Sequence, residues 1–348
     1  MTFKLNRREL VVGAGAMAAT LSSGKFAQAQ SAALKVTHFG GPYQVLQDLV
    51  GAPFERAGLG RVEYEVETTA SALAKIQSQK ASPPFDLVMM SRSITYRAGR
   101  AGFVAPFERA DIAALAGTVP GTLGPGGFGV GYVLDTFGIM VDKRQVTQPM
   151  TSWMDFWRPD LRGKIVLPAA SLGLSIYFLL CIARTVGNGK IDDASIDEAF
   201  KKLIELKPSV RTFYTDPIQA SQLVERGDIA AAPQLSIRIS NTMRSAATVG
   251  RFTPNEGGPF LPFDLSMPVS AKNPELAKKY LNYILSKEVQ TKLAAGLLAT
   301  PVATGIDVPA ELRPFMMLDT DKIWPIDEDY VATKSRDWTT RWTREVQS

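Results

Sequence analysis

The sequence predicts an α/β protein. Short runs rich in apolar and β-branched residues alternate with longer segments in which apolar residues recur every three or four positions. In the first third of the chain, strand-type runs at 34–39, 62–69 and 85–91 are separated by helix-type patterns at 43–58 and 71–80. The run FDLVMMS is apolar without alternation, which favours a strand of a buried parallel sheet. Alternation of this kind is typical of helices packed on sheets.

The same alternation continues through the middle and the end of the chain. KIVLPAAS predicts a strand and a turn, and LGLSIYFLLCIARTVG predicts a buried helix. Ser195 and Glu198 have the spacing of a capping box that opens the next helix. Asp216 before Pro217 predicts the N-cap of another helix, which Gly227 closes. ELAKKYLNYILSKEVQTKLAAG predicts one long helix near the end.

The first 29 residues have the pattern of an export signal. Lys4, Arg7 and Arg8 precede a weakly apolar run rich in glycine and alanine, and small residues precede a cut near Ala29. The adjacent arginines favour a twin-arginine signal, with a general secretory signal as the alternative. Glycines in this run also match a dinucleotide-binding pattern, but no strand precedes them, so we expect an exported, periplasmic protein.

Composition limits the remaining 319 residues, which are enough for two domains. The full chain has a formal net charge of +5, but residues 1–29 contribute four cationic side chains and one acidic side chain. The remaining +2 does not indicate nucleic-acid binding. Cys181 is the only cysteine and lies in an apolar run, so we expect a buried thiol and no internal disulfide.

Six groups of segments occur in the order found in bacterial extracellular solute-binding proteins. They are GGPYQ (40–44), FDLVMMS with GRAGFVAPFE (85–108), GVGYVLDTFGIMVDK (129–143), TSWMDFWRPDLRGKIVLP (151–168), VERGDIAAAPQ (224–234) and MPVSAKNPELAKKYLNYILSKEVQTKLA (267–294). Over residues 35–305 the chain most resembles the spermidine/putrescine-type branch, which feeds ABC importers. The resemblance implies a two-lobe periplasmic-binding-protein fold of type II. Each lobe is then a mixed sheet flanked by helices, and two hinge strands lie near 131–139 and 260–268.

This resemblance also implies a domain organisation and a role. The first lobe would comprise residues 30–135 and 264–305, the second lobe residues 136–263, and residues 306–348 a C-terminal helical segment packed on the lobes. We expect a monomer that captures a small molecule between the lobes by hinge closure and delivers it to the permease subunits of an ABC importer. No cofactor, metal or catalytic residue is expected.

Polar and aromatic residues that follow strands form the candidate ligand site, because open α/β sheets bind ligands beyond the carboxyl ends of their strands. The candidates are Tyr43, Thr69, Ser71, Ser91, Arg92, Ser93, Ser171 and Tyr214, with Asp264 added if one gap restores the family's register. The alternative for each hydroxyl is a helix cap or a turn, and the alternative for each tyrosine is packing under a loop.

The charge of the ligand stays open at this stage. Polyamine receptors hold ammonium groups with carboxylates and stack the alkyl chain on aromatic rings. Where that branch has an acidic pair, this chain has PAASLGLS, and Pro233 stands where the branch has a Trp. Arg92 among hydroxyl groups favours an anionic or neutral metabolite. Asp264 in the cleft would instead favour a polyamine or another amine.

Two other classes of function are weighed against a transport receptor. A cleft enzyme of the serine-hydrolase type is disfavoured, because no G-x-S-x-G motif occurs and the one histidine, His38, lies in a predicted strand. Carboxylate acid–base catalysis stays open, since two acids can meet only in the fold. The third class is a scavenging or chemoreceptor-associated receptor that docks no permease.

Overall fold

Strands and helices alternate along the part of the chain that the computed structural model describes, residues 33–316 and 320–348. The predicted export signal and its cleavage site lie outside these residues. The strands are β1 Leu34–His38, β2 Val62–Val66, β3 Val88–Ser91, β4 Val104–Ala105, β5 Val130–Asp135, β6 Phe137–Asp142, β7 Ile165–Pro168, β8 Val210–Tyr214, β9 Ala231–Leu235, β10 Val249–Phe252, β11 Gly258–Pro259, β12 Leu261–Pro268 and β13 Ile323–Trp324.

Helices connect most of these strands. They are α1 Ala52–Arg56, α2 Thr69–Ser78, α3 Arg92–Arg100, α4 Leu174–Val186, α5 Asp193–Leu206, α6 Pro217–Arg226, α7 Ser236–Ser245, α8 Pro274–Ile284, α9 Lys287–Leu297 and α10 Glu328–Arg341. π-Helical turns adjoin α1 at Gln47–Gly51 and α10 at Trp342–Gln347. Among the described residues, no helix combines the length and the apolar character that a membrane crossing needs.

Apart from the short pair β11–β13, the strands fall into two groups that form the two halves of the molecule. One group is a five-stranded mixed sheet in the order β10-β6-β9-β7-β8. In the other group, β12 pairs antiparallel with β3, β4 and β5. The parallel pair β1-β2 joins this group through a bridge between Val36 and Leu87. The protein is therefore a mixed α/β structure, as the periodicity predicts.

The chain passes between the two groups of strands at two places. Thr136 alone separates β5, which pairs with β12, from β6, which pairs with β9. The return runs from β10 to β12 through β11, which pairs in parallel with β13. Two short connections thus link the halves within the segments β5–β6 and β10–β12.

Each half has its own hydrophobic cluster. One cluster covers the five-stranded sheet and includes Trp153, Phe178 and the two buried tail residues Trp338 and Trp342. The other cluster packs β1, β3, β5 and β12 against α8 and α9. The tail helix α10 therefore contributes its tryptophans to the half that contains the five-stranded sheet.

Local capping patterns were predicted with mixed success. The Asp216 side chain accepts a hydrogen bond from the Ile218 N–H at 2.8 Å, and Gly227 ends α6 with φ 85°, as expected. The capping box at Ser195 is wrong by one turn. Asp192 is the N-cap, its side chain accepts from the Ser195 N–H at 2.8 Å, and the Ser195 hydroxyl accepts from the Asp192 N–H. Asp is at least as good an N-cap as Ser, so α5 begins earlier.

The predicted long helix over residues 275–296 is two helices. α8 ends at Ile284, and α9 begins at Lys287. Ser286 has extended backbone angles and caps α9 by accepting from the Val289 N–H. The apolar period continues across this break because both helices bury one face in the same cluster. Periodicity alone therefore did not reveal the interruption.

Candidate ligand-binding site

A cavity of about 600 Å³ lies between the two halves of the molecule. One wall is the start of α2 and of α3, and the opposite wall is the start of α4, α6 and α7. These are positions where strands end and helix N-termini are exposed, the usual site of ligands in such folds. The lining residues are Thr68, Thr69, Ala70, Leu73, Ser91, Arg92, Ile94, Ser171, Leu172, Gly173, Leu174, Tyr177, Pro217, Leu235, Phe260, Leu261, Pro262, Phe263 and Glu328.

Three of the predicted hydroxyl residues meet in this cavity. Thr69 is the first residue of α2, and Ser91 is the last residue of β3. Ser171 comes from the turn that precedes α4 and is exposed. Ser91 precedes α3 but makes no capping hydrogen bond through its side chain. These residues, far apart in sequence, line one cavity from opposite sides.

Two other predicted hydroxyls have partners within the protein. Ser71 forms a capping box with Thr68 at the start of α2 and donates to a carboxylate oxygen of Glu67 at 2.5 Å. Ser71 thus serves as a cap, the alternative that the sequence left open. The Ser93 hydroxyl lies 3.5 Å from the Tyr177 hydroxyl, which joins α3 to α4 across the cavity.

Arg92 and Asp264 pair with each other, although the sequence assigned them to opposite ligand classes. The guanidinium Nη2 lies 2.5 Å from Asp264 Oδ1, and Nε lies 3.1 Å from Oδ2. Arg92 also donates to the backbone carbonyls of Gly121 and Thr122. Its exposed fraction is 7 %, and that of Asp264 is 0 %. The sequence analysis expected Arg92 to be free to bind an anion, or Asp264 to be free to bind an ammonium group. Their pairing with each other removes the basis of both expectations.

The two predicted tyrosines have different environments. Tyr214 is fully buried at the end of β8, and its hydroxyl donates to the Pro233 carbonyl at 2.9 Å. It has no surface for stacking on a ligand, so that expectation is corrected in favour of core packing. Tyr43 is 8 % exposed and packs edge-to-face against Phe39 and Phe263. It lines a second cavity beside the first.

This second cavity has a volume of about 320 Å³ and shares Pro217, Leu235 and Phe263 with the larger one. Asp135, at the end of β5, accepts hydrogen bonds from the backbone N–H groups of Thr136 and Ile237. Burial nevertheless raises its pKa to about 7.

Arg238 in the first turn of α7 also lines the smaller cavity. Its guanidinium has no hydrogen bond or ion pair with any residue of the described part of the chain, although Asp135 is close enough to interact electrostatically. Arg238 is a free cation that the sequence analysis missed, because nothing in its local pattern separates it from a surface arginine.

Glu328 is a second charged residue that the sequence analysis missed. It is the first residue of α10, is 6 % exposed, and lines the larger cavity. Its Oε2 atom has no hydrogen-bond partner among the described residues. Burial raises the pKa of Glu328 to about 7, although the Ser93 hydroxyl and Arg92 act in the opposite direction. The sequence analysis placed Glu328 in the C-terminal helical segment, but nothing in its local pattern indicated a position beside the cleft.

The chemistry of these cavities is suited to binding. Their linings combine aliphatic and aromatic side chains with a few hydroxyl and charged groups, as in small-molecule sites. They contain neither histidine nor cysteine. Within residues 33–316 and 320–348, no group of three or more metal-ligating side chains is assembled.

Comparison with known proteins agrees with this architecture. The family model described as "bacterial extracellular solute-binding protein" matches residues 50–313. The chain is 24% identical over 249 residues to spermidine/putrescine-binding periplasmic protein 1 of Haemophilus influenzae, covering 70% of this chain and 68% of the relative. It is 26% identical over 329 residues to the putrescine-binding periplasmic protein PotF of Escherichia coli, covering 83% and 86%.

Solved structures share the fold. An ABC transporter structure from Clostridium perfringens aligns with a TM-score of 0.78 at 24% identity, covering 90% of this chain and 99% of that one. The family is one of transport receptors and not of enzymes. The two-lobe type II fold, the cleft at the ends of the strands and the family match lead to one conclusion: the chain belongs to the bacterial extracellular solute-binding proteins.

Proposed function

We propose that this protein is the substrate-binding component of an ABC importer and captures a small polar organic solute in the cavity between its halves. The observation that carries the proposal is the cavity of about 600 Å³, which both halves line at their strand ends. A volume of this size fits a metabolite and is far too small for a macromolecule. The family match and the ABC transporter structure of the same fold support the transport role.

The mechanism we propose is hinge closure. The two halves are linked at Thr136 and through β11, and each half has a large hydrophobic cluster that covers most of its strands. A solute that contacts both walls stabilises the closed arrangement relative to the open one. The closed face is then the surface that permease subunits recognise. We propose the first lobe boundary at 135/136, as expected. The second, expected at 263/264, would divide β12, so we propose it before Leu261, where that strand begins.

The proposed capture of a solute requires that the protein is exported to the periplasm. The first 29 residues have the composition of a signal, and the similar proteins from Haemophilus influenzae and Escherichia coli are periplasmic. We infer that the mature protein acts in the periplasm as a monomer, after cleavage near Ala29 by the twin-arginine or the general secretory route.

The charged side chains of the cavities that form no ion pair limit which classes of solute can bind. With Arg92 paired to Asp264, the charged residues of these two cavities that form no ion pair with the described residues are Glu328, Arg238 and Asp135. Asp135 accepts hydrogen bonds from two backbone N–H groups, whereas Oε2 of Glu328 and the guanidinium of Arg238 have no such partner in the described part of the chain. Thr69, Ser91 and Ser171 provide neutral hydrogen-bonding groups. The names of the relatives favour a polyamine, whereas Arg238 allows an anionic group. Both classes therefore belong in the test.

The test is a thermal-shift screen of the purified protein against amines, carboxylates, phosphonates and neutral polyols. A ligand at about 100 times its dissociation constant adds roughly 2.7 kcal/mol, which raises Tm by several degrees. Mass spectrometry after prolonged incubation then checks that a stabilising compound is returned unchanged. Turnover of that compound would contradict the proposal and indicate a cleft enzyme.

A further inference from the structure

We propose that the C-terminal helix α10 is a strap between the two halves, and that the hydrogen bond from Tyr96 to Asp329 is a latch that limits how far the cleft opens. The inference rests on the hinge motion of the proposed function and adds an element that controls it. α10 lies beyond residues 50–313, the part that the family model matches. The strap is a link between the halves in addition to the connections at Thr136 and β11.

The body of α10 belongs to the half that contains the five-stranded sheet. Trp338 and Trp342 are buried in the hydrophobic cluster of that half. On the side that faces α5, the Tyr330 hydroxyl donates to Asp193 Oδ1 at 2.8 Å, and Lys334 Nζ donates to Oδ2 at 2.9 Å. Apolar and polar contacts thus attach the helix to the same half.

The end of the strap is attached to this half as well. Arg341 Nη1 lies 2.6 Å from Asp197 Oδ1 of α5, and the guanidinium carbon lies 4.0 Å from the centre of the Phe200 ring. Just after the helix, the Gln347 side-chain oxygen accepts from the Ala170 N–H at 2.9 Å, in the turn before α4. We therefore expect α10 to move with the five-stranded sheet as one body.

The first turn of α10 contacts the other half. Tyr96 lies in α3, the helix that follows β3, and Ala98 of α3 packs in one cluster with Met90 of β3. The Tyr96 ring is 7 % exposed and lies beside the ring of Phe128, in the loop before β5. The Tyr96 hydroxyl donates to Asp329 Oδ1 at 2.6 Å. The donor therefore moves with one half and the acceptor with the other.

The latch lies at the edge of the cleft. Glu328, the residue before Asp329, lines the larger cavity. Ser93, one turn before Tyr96 in α3, lies 3.5 Å from the Tyr177 hydroxyl of α4 across that cavity. Because α10 is attached to the half that contains α4, an opening that separates α3 from α4 also separates α3 from α10. Wide opening of the cleft therefore breaks the latch.

The chemistry of this bond suits a reversible contact. A hydroxyl that donates to a carboxylate forms a charge-assisted hydrogen bond, which is stronger than one between neutral groups. The bond to Asp329 raises the pKa of Tyr96, so the hydroxyl keeps its proton. The Asp329 side chain is exposed, so water can replace the bond when the halves separate. The latch therefore favours the closer arrangement of the halves without locking it.

The test measures distances between the halves in protein without solute. Spin labels are attached at Ser82→Cys, in the exposed turn between α2 and β3, and at Lys201→Cys, on the exposed side of α5. The native Cys181 is buried and burial raises the pKa of its thiol, so it does not compete for the label. Pulsed electron paramagnetic resonance then gives the distribution of distances between the two labels.

Two variants remove the latch from opposite sides. Tyr96→Phe removes only the donor hydroxyl, and the ratio of molecules at short distances to molecules at longer ones should fall by roughly 3- to 10-fold. Asp329→Ala removes the acceptor and should have the same effect. The two substitutions together should add nothing, since they remove one shared bond. Tyr330→Phe is the matched control, because its hydroxyl bonds to Asp193 within one half.

A distance distribution in either latch variant that equals that of the labelled parent overturns the latch. An equal broadening in Tyr330→Phe also overturns it, because that bond does not join the halves. If Tyr96→Phe does not fold, Asp329→Ala decides, since its side chain is exposed. The proposed function is tested separately by the thermal-shift screen and by turnover, so an unchanged distribution contradicts the latch alone.

Discussion

At the scale of single residues, the cleft shows how pairing decides what a charged side chain can do. Arg92 and Asp264 are 172 positions apart in sequence, and β3 and β12 bring their backbones side by side. Two hydrogen bonds then neutralise both groups inside the protein. Glu328, in contrast, has no such partner for Oε2 within the described residues. Which charged side chain is available to a ligand therefore depends on its pairing and not on the number of charges in the cleft.

The Arg92–Asp264 pair yields a prediction about stability. Arg92→Met should lower the free energy of unfolding by about 3–5 kcal/mol, because it leaves a buried carboxylate without its cation. Urea denaturation measures this change. Replacing both residues, in Arg92→Met with Asp264→Leu, should recover much of the loss, since no buried charge is then unpaired.

The control is Arg61→Met, which breaks the exposed pair with Glu63 and should cost no more than about 1 kcal/mol. If Arg92→Met has the same free energy of unfolding as the wild type, the buried pair does not stabilise the protein as we predict.

At the scale of elements, α10 illustrates how a polar helix is held in place. Most of its surface carries charged or hydroxyl side chains, yet Trp338 is 3 % exposed and Trp342, just after the helix, is 1 % exposed. The two rings lie four positions apart, on one helical face. The Trp342 ring packs edge-to-face against Phe178 of α4. This anchoring positions the start of α10, and with it Glu328, beside the cleft.

The anchor predicts a stability change in a segment outside the matched family region. Trp342→Ala should lower the free energy of unfolding by about 3–5 kcal/mol, because it leaves a cavity among α4, α5 and α10. Chemical denaturation measures the change. Arg336→Ala, on the exposed side of the same helix, should change stability by less than about 0.5 kcal/mol. Equal effects from both variants would contradict the tail's role in the core.

At the scale of the whole molecule, two short connections and a separate large hydrophobic cluster in each half favour motion of the halves about the cleft. Contacts such as Ser93 with Tyr177 span that cleft and would be made or broken as it moves. A solute bound to both walls adds favourable contacts only when the walls approach each other. Binding and closure are then the same event, which is how a receptor reports occupancy to a permease.

Closure can be measured in solution. A compound that stabilises the protein in the thermal screen should reduce the radius of gyration in small-angle X-ray scattering at saturating concentration, because the halves move together. A compound that fails to stabilise the protein serves as the control and should leave the radius unchanged. An unchanged radius with the stabilising compound would contradict hinge closure, even where binding itself is established.

The sequence by itself determined the fold class, the family and the general location of the cleft. These depend on apolar periodicity and on segments that follow strands, which are local properties. Thr69, Ser91 and Ser171 could be predicted to meet because strand ends gather at one edge. The predicted export signal also depends on a local pattern, and it lies outside the described residues.

Only the tertiary structure decided which charges are available to a ligand. The partner of Arg92 lies 172 positions away, and the register that brings Asp264 opposite Met90 in β3 places its carboxylate within reach. The approach of Glu328 to the cleft depends on tryptophans that pack against another helix. Availability of a charge is a property of three-dimensional pairing and burial, which one sequence does not encode in any local pattern.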